Sequence, residues 1–530
     1  MQRCRLSLGR LAGLTLLLVP AFFLQAGEAK AQACADPLAS VSALRPDIRA
    51  DLDLDIIQRF YASAPGVCVW QPEDAAALIA TLGAAPEQGL DPSPFHLGEI
   101  ERLSHSSGGA VAGMRDLLLT DAALRYARDM TRGRVDPARV DDDVDFEIYP
   151  VDPVFDLRSV LRRGDVAGWL KSLPPRQPEY AALKVLLARY RDLSAHGDWA
   201  KLDAPAKAVK PGKASPLVPL LRARLAAEGY LAGTQTQDEL LTGETLDALK
   251  RFQADHGLAE DGTLGKKTVE ALNVGPAERV RQIALNLERW RQFSRGIPST
   301  RIEVNTAAAS AALIIGDKRV LAMRAVVGKK ATPTPLVRSD LHAVVIDPPW
   351  IVPASIIRKE IIPALKRKPD YLEKNNMHWQ GNQLVQAPGE KNSLGRIKFE
   401  FPSNFDVYLH DTPARSLFTH EALDDRTRSH GCIRLEKPLD LAEILLKDNG
   451  DWPRERIEQA MAEGTTVRVP VADEIPVVIA YWTAFAAEDG RAQFRDDIYG
   501  RDARLFDALT RRQLANPSSA PNAATSFCGS

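Results

Sequence analysis

The spacing of apolar residues changes near residue 300. Before that point, stretches such as "MRDLLLTDAALRYARDM" place apolar side chains at helical intervals. After it, short segments such as "AALIIG" and "HAVVIDPPW" are rich in β-branched residues and broken by turns. The two patterns belong to different folds, and 530 residues exceed what one hydrophobic core supports. We therefore predict a multidomain α+β protein, helical in its first part and mainly β, sandwich-like, in its second.

The helical part divides at a linker. Residues 35–202 predict a helical scaffold domain that shows no catalytic constellation. Residues 203–216 are rich in Pro, Ala and Lys and predict the linker. Residues 217–274 then predict a small three-helix module, and residues 275–298 an amphipathic connecting helix.

The β part carries an insertion and an extension. Residues 300–475 predict the β domain, interrupted by a helical insertion at 353–380. Residues 476–510 predict a C-terminal hairpin that turns at "EDG". Residues 511–530 have the composition of a disordered tail.

The N-terminus predicts export. Basic residues precede a short apolar run that ends in small residues, so residues 1–31 read as a secretory signal peptide. The run is shorter than the roughly 20 residues that a membrane span needs. We expect a periplasmic protein with no membrane span after cleavage, with a lipoprotein anchored at Cys34 as the open alternative. A formal net charge of -1 argues against a bulk nucleic-acid binder.

Export would leave four cysteines in an oxidising compartment. They are Cys34, Cys68, Cys432 and Cys528. A bridge between Cys34 and Cys68 is a hypothesis at this point. Cys432 stands apart, because it lies in "SHGCIRLE" beside serine, histidine and glycine.

A catalytic thiol at Cys432 needs a base and a way to stabilise an oxyanion. Alternation in "VYLHD" places Tyr408 and His410 on one strand face, so His410 can face a cleft. Gly431 lets the backbone approach closely, and N–H groups there can meet a developing negative charge. The residues alone also allow an inert structural cysteine. A zinc site from His410, His430 and Cys432 fits no common ligand spacing.

These motifs resemble a known family. "YLHDT" followed by "SHGCIRLE" is similar to the signature of L,D-transpeptidases of the YkuD type, which cross-link the cell wall. "LDALKRFQADHGL" and "DGTLGKKTVEAL" resemble the peptidoglycan-binding type 1 module. The flanking segments look like large periplasmic members of the family that carry a scaffold domain, this module and a lid, which would be the insertion at 353–380.

The resemblance implies roles for particular residues. Cys432 would be the nucleophile and His410 the general base, oriented by the backbone carbonyl of Asp411. Four residues would form the oxyanion site and the pocket: Ser429, His430, Gly431 and Arg434. Two more, Tyr408 and Trp350, would line the substrate-binding cleft.

The implied reaction is acyl transfer that forms 3-3 cross-links between peptidoglycan stems and releases D-alanine. Its partners would be stem peptides and glycan strands, with acylation by carbapenem-type inhibitors. No cofactor or metal is needed, because a thioester conserves the energy of the cleaved bond. Two alternatives stay open: an L,D-carboxypeptidase that trims tetrapeptide stems with the same residues, and a non-catalytic wall-binding protein.

Overall fold

The protein is described by a computed structural model that covers residues 34–232, 237–293, 295, 297–419 and 426–514. The predicted signal peptide lies outside these ranges, and so do Cys528 and residues 515–530 of the predicted tail. Within the described ranges, no helix combines the length and the apolar character that a bilayer crossing requires.

The N-terminal region is a helical bundle built around one long helix. Its helices are α1 (Pro46–Asp51), α2 (Leu54–Tyr61), α3 (Pro72–Gly83), α4 (Leu97–Ser104), α5 (Gly109–Arg132), α6 (Pro153–Arg163), α7 (Val166–Ser172) and α8 (Pro178–Ala195). Helix α5 is buried along most of its second half, polar residues included. Its Asp116 is tolerated there because the carboxylate accepts hydrogen bonds from the Tyr61 hydroxyl at 2.6 Å and from the Val69 N–H at 2.8 Å.

A disulfide fastens the start of this bundle. It joins Cys34 to Cys68, whose Cα atoms lie 6.0 Å apart. Cys432 is the free cysteine of the described residues.

The small module has the three predicted helices, α9 (Leu217–Ala227), α10 (Gly243–Asp255) and α11 (Lys266–Leu272). They share a core that includes Leu221, Leu249 and Phe252. The module is docked rather than loosely tethered: its buried Asp255 accepts hydrogen bonds from Arg491 at 2.6 Å and from Gln493 at 2.5 Å, both near the C-terminus.

The predicted connecting helix is in fact a core element. Helix α12 (Pro276–Phe293) places Leu287, Trp290 and Phe293 in the hydrophobic core of the helical bundle. The charged residues of its second half are buried as well, because they are paired: Arg291 binds Glu288 at 2.8 Å, and both side chains are fully enclosed. The solvent-facing side that the amphipathic pattern suggested is confined to the first half of the helix, where Ala277, Glu278 and Arg281 are exposed.

The β domain is a closed arrangement of strands. Its elements are β2 (Arg301–Asn305), β3 (Ser310–Ile315), β4 (Lys318–Gly328), β5 (Leu336–Ile346), β9 (Ile397–Glu400), β10 (Leu409–His410), β11 (Thr427–Ser429), β12 (Ile433–Leu435) and β13 (Val467–Ala480). The order is β5, β13, β2, β3, β4, β12, β10 and β9, and β9 pairs back with β5. Strand β11 pairs with β4. A short strand from the helical region, β1 (Val144–Asp145), pairs with β5.

Helices α16 (Pro438–Leu446) and α17 (Arg454–Glu463) cover the core of this domain. Alternate residues of each strand enter that core, as the period of two predicts. The predicted fold class, a helical region, a helical module and a mainly β domain, is confirmed.

The predicted insertion is a small α/β unit and not purely helical. It contains β6 (Trp350–Ile351), α13 (Ala354–Ile356), a π-helical turn (Ile357–Ile361), α14 (Ile362–Arg367), α15 (Tyr371–Lys374), β7 (Met377–Gln380) and β8 (Gln383–Gln386). The unit has its own core, in which Val352, Ile361, Met377 and Leu384 are buried. Pro363 offers no N–H to the helix, which accounts for the irregular turn just before it.

The C-terminal region differs from its prediction. The hairpin is short, β14 (Ala484–Ala486) with β15 (Ala492–Phe494), while residues 476–480 belong to the long strand β13. A helix, α18 (Arg501–Leu514), follows, so residues 511–514 are helical and not tail. The turn signal in "EDG" was read correctly, but the buried apolar run before it continues a sheet strand.

Candidate active site

Two neighbouring strands carry the candidate site on one face. Strands β10 and β12 run parallel, and their register pairs Leu409 with Ile433 and His410 with Arg434. Leu409 and Ile433 are fully buried in the β-domain core. Because side chains alternate along a strand, His410 and Arg434 point to the other face, and Cys432 shares it with Arg434.

His410 is held as a neutral imidazole. Its ring is buried, and Nδ1 lies 2.5 Å from the carbonyl oxygen of Asp411. Burial, reinforced by the positive charge of Arg434, lowers the pKa of His410 to about 4. The carbonyl can only accept, so the proton of the neutral ring sits on Nδ1 and the lone pair is left on Nε2. This tautomer is the one that a base facing the cleft requires.

Cys432 sits just before β12, with its thiol in a mixed environment. Burial raises the pKa of the Cys432 thiol, while a backbone N–H from Tyr408 and the charges of Lys398 and Arg434 lower it. The thiol lies 3.9 Å from the carbonyl oxygen of Asp406. The resting sulfur is therefore protonated, with cations close enough to favour the thiolate once a proton acceptor is available.

The strand register sets His410 opposite Arg434, two residues after Cys432, and in the described part of the chain no hydrogen bond joins Cys432 to His410. Tyr408 connects them, since it precedes His410 by two residues on the same strand face. Burial and then the negative charge that Cys432 carries as a thiolate raise the pKa of Tyr408 to about 12. In a free enzyme, hydrogen bonds between a nucleophile and its base are often long and shorten only with substrate bound.

The loop before Cys432 is fixed by Ser429. The Ser429 hydroxyl donates to the Cys432 carbonyl at 2.5 Å and accepts the Gly431 N–H at 3.1 Å. Gly431 adopts a φ of 124°, which only glycine takes readily. Contrary to expectation, the Gly431 N–H is thus engaged and does not face an oxyanion. The N–H groups of His430 and Cys432 have no acceptor among the described residues, so they are the donors that the loop leaves available.

His430 connects this loop to the insertion at 353–380. Its Nε2 lies 2.6 Å from the Glu360 carboxylate, in the π-helical turn, and 3.2 Å from the Lys329 ammonium. Trp350, by contrast, packs partly buried against the insertion's own core. The structure therefore brings His430 to the site, while Trp350 is partly buried and in contact with the core of the insertion.

Three segments of the chain match known protein families. Residues 299–471 match the L,D-transpeptidase catalytic domain family, YkuD. Residues 55–187 match a scaffold domain family, and residues 214–272 match the family described as "Putative peptidoglycan binding domain".

Residues 299–471 form a YkuD-type L,D-transpeptidase domain. A protein of Haemophilus influenzae named "Putative L,D-transpeptidase" is 32% identical over 272 residues, which are 47% of this chain and 54% of that protein. The chain thus matches about half the length of this relative.

Solved structures of L,D-transpeptidases from Mycobacterium smegmatis and Xylanimonas cellulosilytica are each 16% identical to the chain. The first match covers 34% of this chain and 58% of that one, with a TM-score of 0.19. The second covers 53% and 100%, with a TM-score of 0.18. TM-scores this low carry no argument about fold or function.

Arg434 is a notable cation of the L,D-transpeptidase domain. Its Nε is buried without a hydrogen-bond acceptor among the described residues, and burial lowers its pKa. The described residues pair it with no carboxylate, so its charge is available to an anionic group entering the site. They also hold no cluster of three or more His, Cys, Asp or Glu side chains suited to a metal.

Sequence reasoning missed Lys398, Glu360 and Asp406 at this site. Lys398 could have been found, because alternation in "KFEF" sends it to the face opposite Phe399, and its ammonium lies 4.2 Å from the centre of the Tyr408 ring. Glu360 has no such signal, since its contact with His430 depends on how the insertion folds back over the domain.

Proposed function

We propose that this protein is a cysteine L,D-transpeptidase that forms 3-3 cross-links in peptidoglycan. The observation that carries the proposal is the shared strand face, on which the buried, neutral imidazole of His410 lies opposite Arg434, with the Cys432 thiol two residues before that arginine. This combination supports acyl transfer, because it supplies a nucleophile, a proton acceptor and a counter-charge within one cleft.

The first step is acylation of Cys432. Its sulfur attacks the carbonyl of the bond between the third stem residue and the terminal D-alanine, and His410 Nε2 takes the thiol proton. The low pKa of His410 makes full proton transfer unfavourable before attack, so the proton moves as the sulfur–carbon bond forms. The oxyanion meets the Cys432 N–H.

The intermediate then collapses to a thioester. His410 returns its proton to the departing amine, and D-alanine leaves. An amine from a neighbouring stem attacks the thioester and gives its proton to His410; the carbon–sulfur bond then breaks, and His410 passes that proton to the departing sulfur, which restores the thiol. Arg434 would bind a stem carboxylate, since carboxylates are the anions that the substrate offers and guanidinium binds them in two-point fashion.

The proposal also covers the small helical module and the compartment in which the protein acts. We infer that the module binds peptidoglycan and that the protein acts in the periplasm after signal cleavage. A disulfide between Cys34 and Cys68 supports an oxidising compartment. Carbapenem-type inhibitors would acylate Cys432 by the same attack.

Incubation with tetrapeptide-containing muropeptides tests the reaction. Cross-linked dimers together with free D-alanine are the expected products. Tripeptides alone would identify the protein as an L,D-carboxypeptidase, in which water replaces the acceptor amine. Turnover that survives in Cys432→Ala would remove the thiol from the mechanism, and binding without turnover by the wild type would leave a wall-binding protein.

A further inference from the structure

A short segment between β4 and β5 contacts the loop that carries Cys432 and holds its backbone. We call residues 429–432 the cysteine loop. We call residues 328–334 the supporting loop. Its Lys329 N–H donates to the Ser429 carbonyl at 3.0 Å, and the Thr332 hydroxyl donates to the same oxygen at 3.3 Å. The Thr334 hydroxyl donates to the Gly431 carbonyl at 2.8 Å. The position of the cysteine loop therefore follows the position of the supporting loop.

Thr334 is the central contact between the two loops. Its hydroxyl is fully buried, and besides donating to Gly431 it accepts the Gly328 N–H at 2.9 Å. Gly328 has no room for a side chain, because an added Cβ would collide with the Thr332 carbonyl. The supporting loop is thus tightly packed on the side that faces the cysteine loop.

The C-terminal region holds the supporting loop from the opposite side. The Tyr499 hydroxyl donates to the Gly328 carbonyl at 2.6 Å. Arg501 donates through Nη2 to the Thr334 carbonyl at 3.1 Å and binds Asp141 through Nε at 2.6 Å. Tyr499 and Arg501 are both buried, with 5% and 3% of their surface exposed, so these bonds form away from competing water.

We propose that Tyr499 and Arg501 are positioning residues for acyl transfer at Cys432. They hold the supporting loop, which holds the cysteine loop through Thr334 and so fixes the direction of the thiol and of the Cys432 N–H. Displacement of reacting groups by about 1 Å can cost two orders of magnitude in rate. Since Asp141 belongs to the N-terminal helical region, this region is coupled to the geometry of the active site.

The proposal rests on the proposed function, and single hydroxyl deletions in the full chain test it. Tyr499→Phe and Thr334→Val each remove one hydroxyl and keep the side-chain shape. We expect kcat for D-alanine release to fall at least about tenfold, with KM for the donor within about twofold. Thr334→Ser keeps the hydroxyl and should stay within about twofold of the wild type.

Two further measurements separate positioning from general destabilisation. Tyr61→Phe removes a buried hydroxyl that bonds Asp116 at 2.6 Å, far along the chain from the supporting loop, and should leave kcat unchanged. The pH profile of Cys432 alkylation by iodoacetamide should move to higher pH in Tyr499→Phe, because a shifted thiol loses the Tyr408 N–H, and should stay in place in Tyr61→Phe.

Different results would overturn the positioning role and the proposed function. Unchanged kcat and an unchanged alkylation profile in folded Tyr499→Phe would overturn the positioning role, as would equal losses in Thr334→Ser and Thr334→Val. If Thr334→Val does not fold, Tyr499→Phe decides alone. A wild-type protein that is alkylated at Cys432 but releases no D-alanine would overturn the proposed function, and the alkylation profiles would still decide the positioning role.

Discussion

Acidification should leave the acylation step almost untouched down to about pH 5.5. The reason is the pKa of His410, lowered to about 4 by burial and by Arg434. A base must be unprotonated to accept the thiol proton, so activity is lost as pH falls through the pKa of His410. An ordinary histidine, with a pKa near 6.5, would be only about one-tenth neutral at pH 5.5, whereas His410 would be almost entirely neutral. The two cases differ by roughly tenfold in rate at that pH.

The assay is the pH dependence of kcat/KM for D-alanine release from a tetrapeptide stem, which reports groups in the free enzyme. We expect a plateau from neutral pH to about 5.5 and an acid limb near the pKa of His410. Arg434→Gln removes a charge that lowers this pKa, so its acid limb should lie at higher pH. An acid limb near 6.5 in the wild type, or no movement of the limb in Arg434→Gln, would refute this account of His410.

Three further changes probe the site and the fold. Lys398→Gln should move the alkylation profile of Cys432 to higher pH, because the ammonium lowers the thiol pKa. Glu360→Gln should speed alkylation of Cys432 at neutral pH by at most about fivefold, since it weakens a partly exposed contact between a carboxylate and His430, and exposed polar pairs of this kind contribute about 1 kcal/mol or less. Glu288→Gln should lower the free energy of unfolding in urea by about 3 kcal/mol or more, because it leaves a buried arginine without its charge partner.

The first two changes have a matched control, and all three have a contradicting result. For Lys398→Gln, the control is Lys374→Gln on the surface of the insertion, and coincident alkylation profiles would contradict the prediction. For Glu360→Gln, the control is Glu373→Gln, which makes the same change on the same insertion. Equal alkylation rates in the two variants would show that the contact between Glu360 and His430 does not affect Cys432. For Glu288→Gln, a loss below about 1 kcal/mol would show that the buried pair contributes little net stability.

The catalytic strand could be predicted from sequence because it obeys a simple local rule. Alternation along "VYLHD" sends Val407 and Leu409 to the core, which leaves His410 on the cleft face. The change of period near residue 300 likewise follows from local spacing and marks the start of β2. Both features depend only on residues that are close together in the sequence.

Other features depend on partners that are distant in the chain. Helix α12 reads as amphipathic, yet the charged residues of its second half are buried, because Arg291 and Glu288 satisfy each other inside the bundle. Trp350 packs against the core of the insertion, and the Gly431 N–H is taken by Ser429. Sequence spacing contains no information on such contacts.

The helix α18 was missed for a different reason. Residues 501–510 of this helix fall in the segment predicted as a hairpin and residues 511–514 in the predicted tail. Its first residue, Arg501, finds its partners Asp141 and Thr334 in two other parts of the chain. A long-range ion pair of this kind leaves no periodic trace. The positioning role that we propose for the C-terminal region could therefore emerge only from the structure.

The central claim is that Cys432 carries the acyl group, and mass spectrometry of the intact protein tests it most directly. Mixing the protein with a tetrapeptide stem that has no acceptor amine should give one covalent adduct of the stem minus D-alanine, mapped to the peptide that contains Cys432. The adduct should be absent from Cys432→Ala and strongly reduced in His410→Gln. Release of D-alanine by Cys432→Ala, or an adduct on any other residue, would contradict the account.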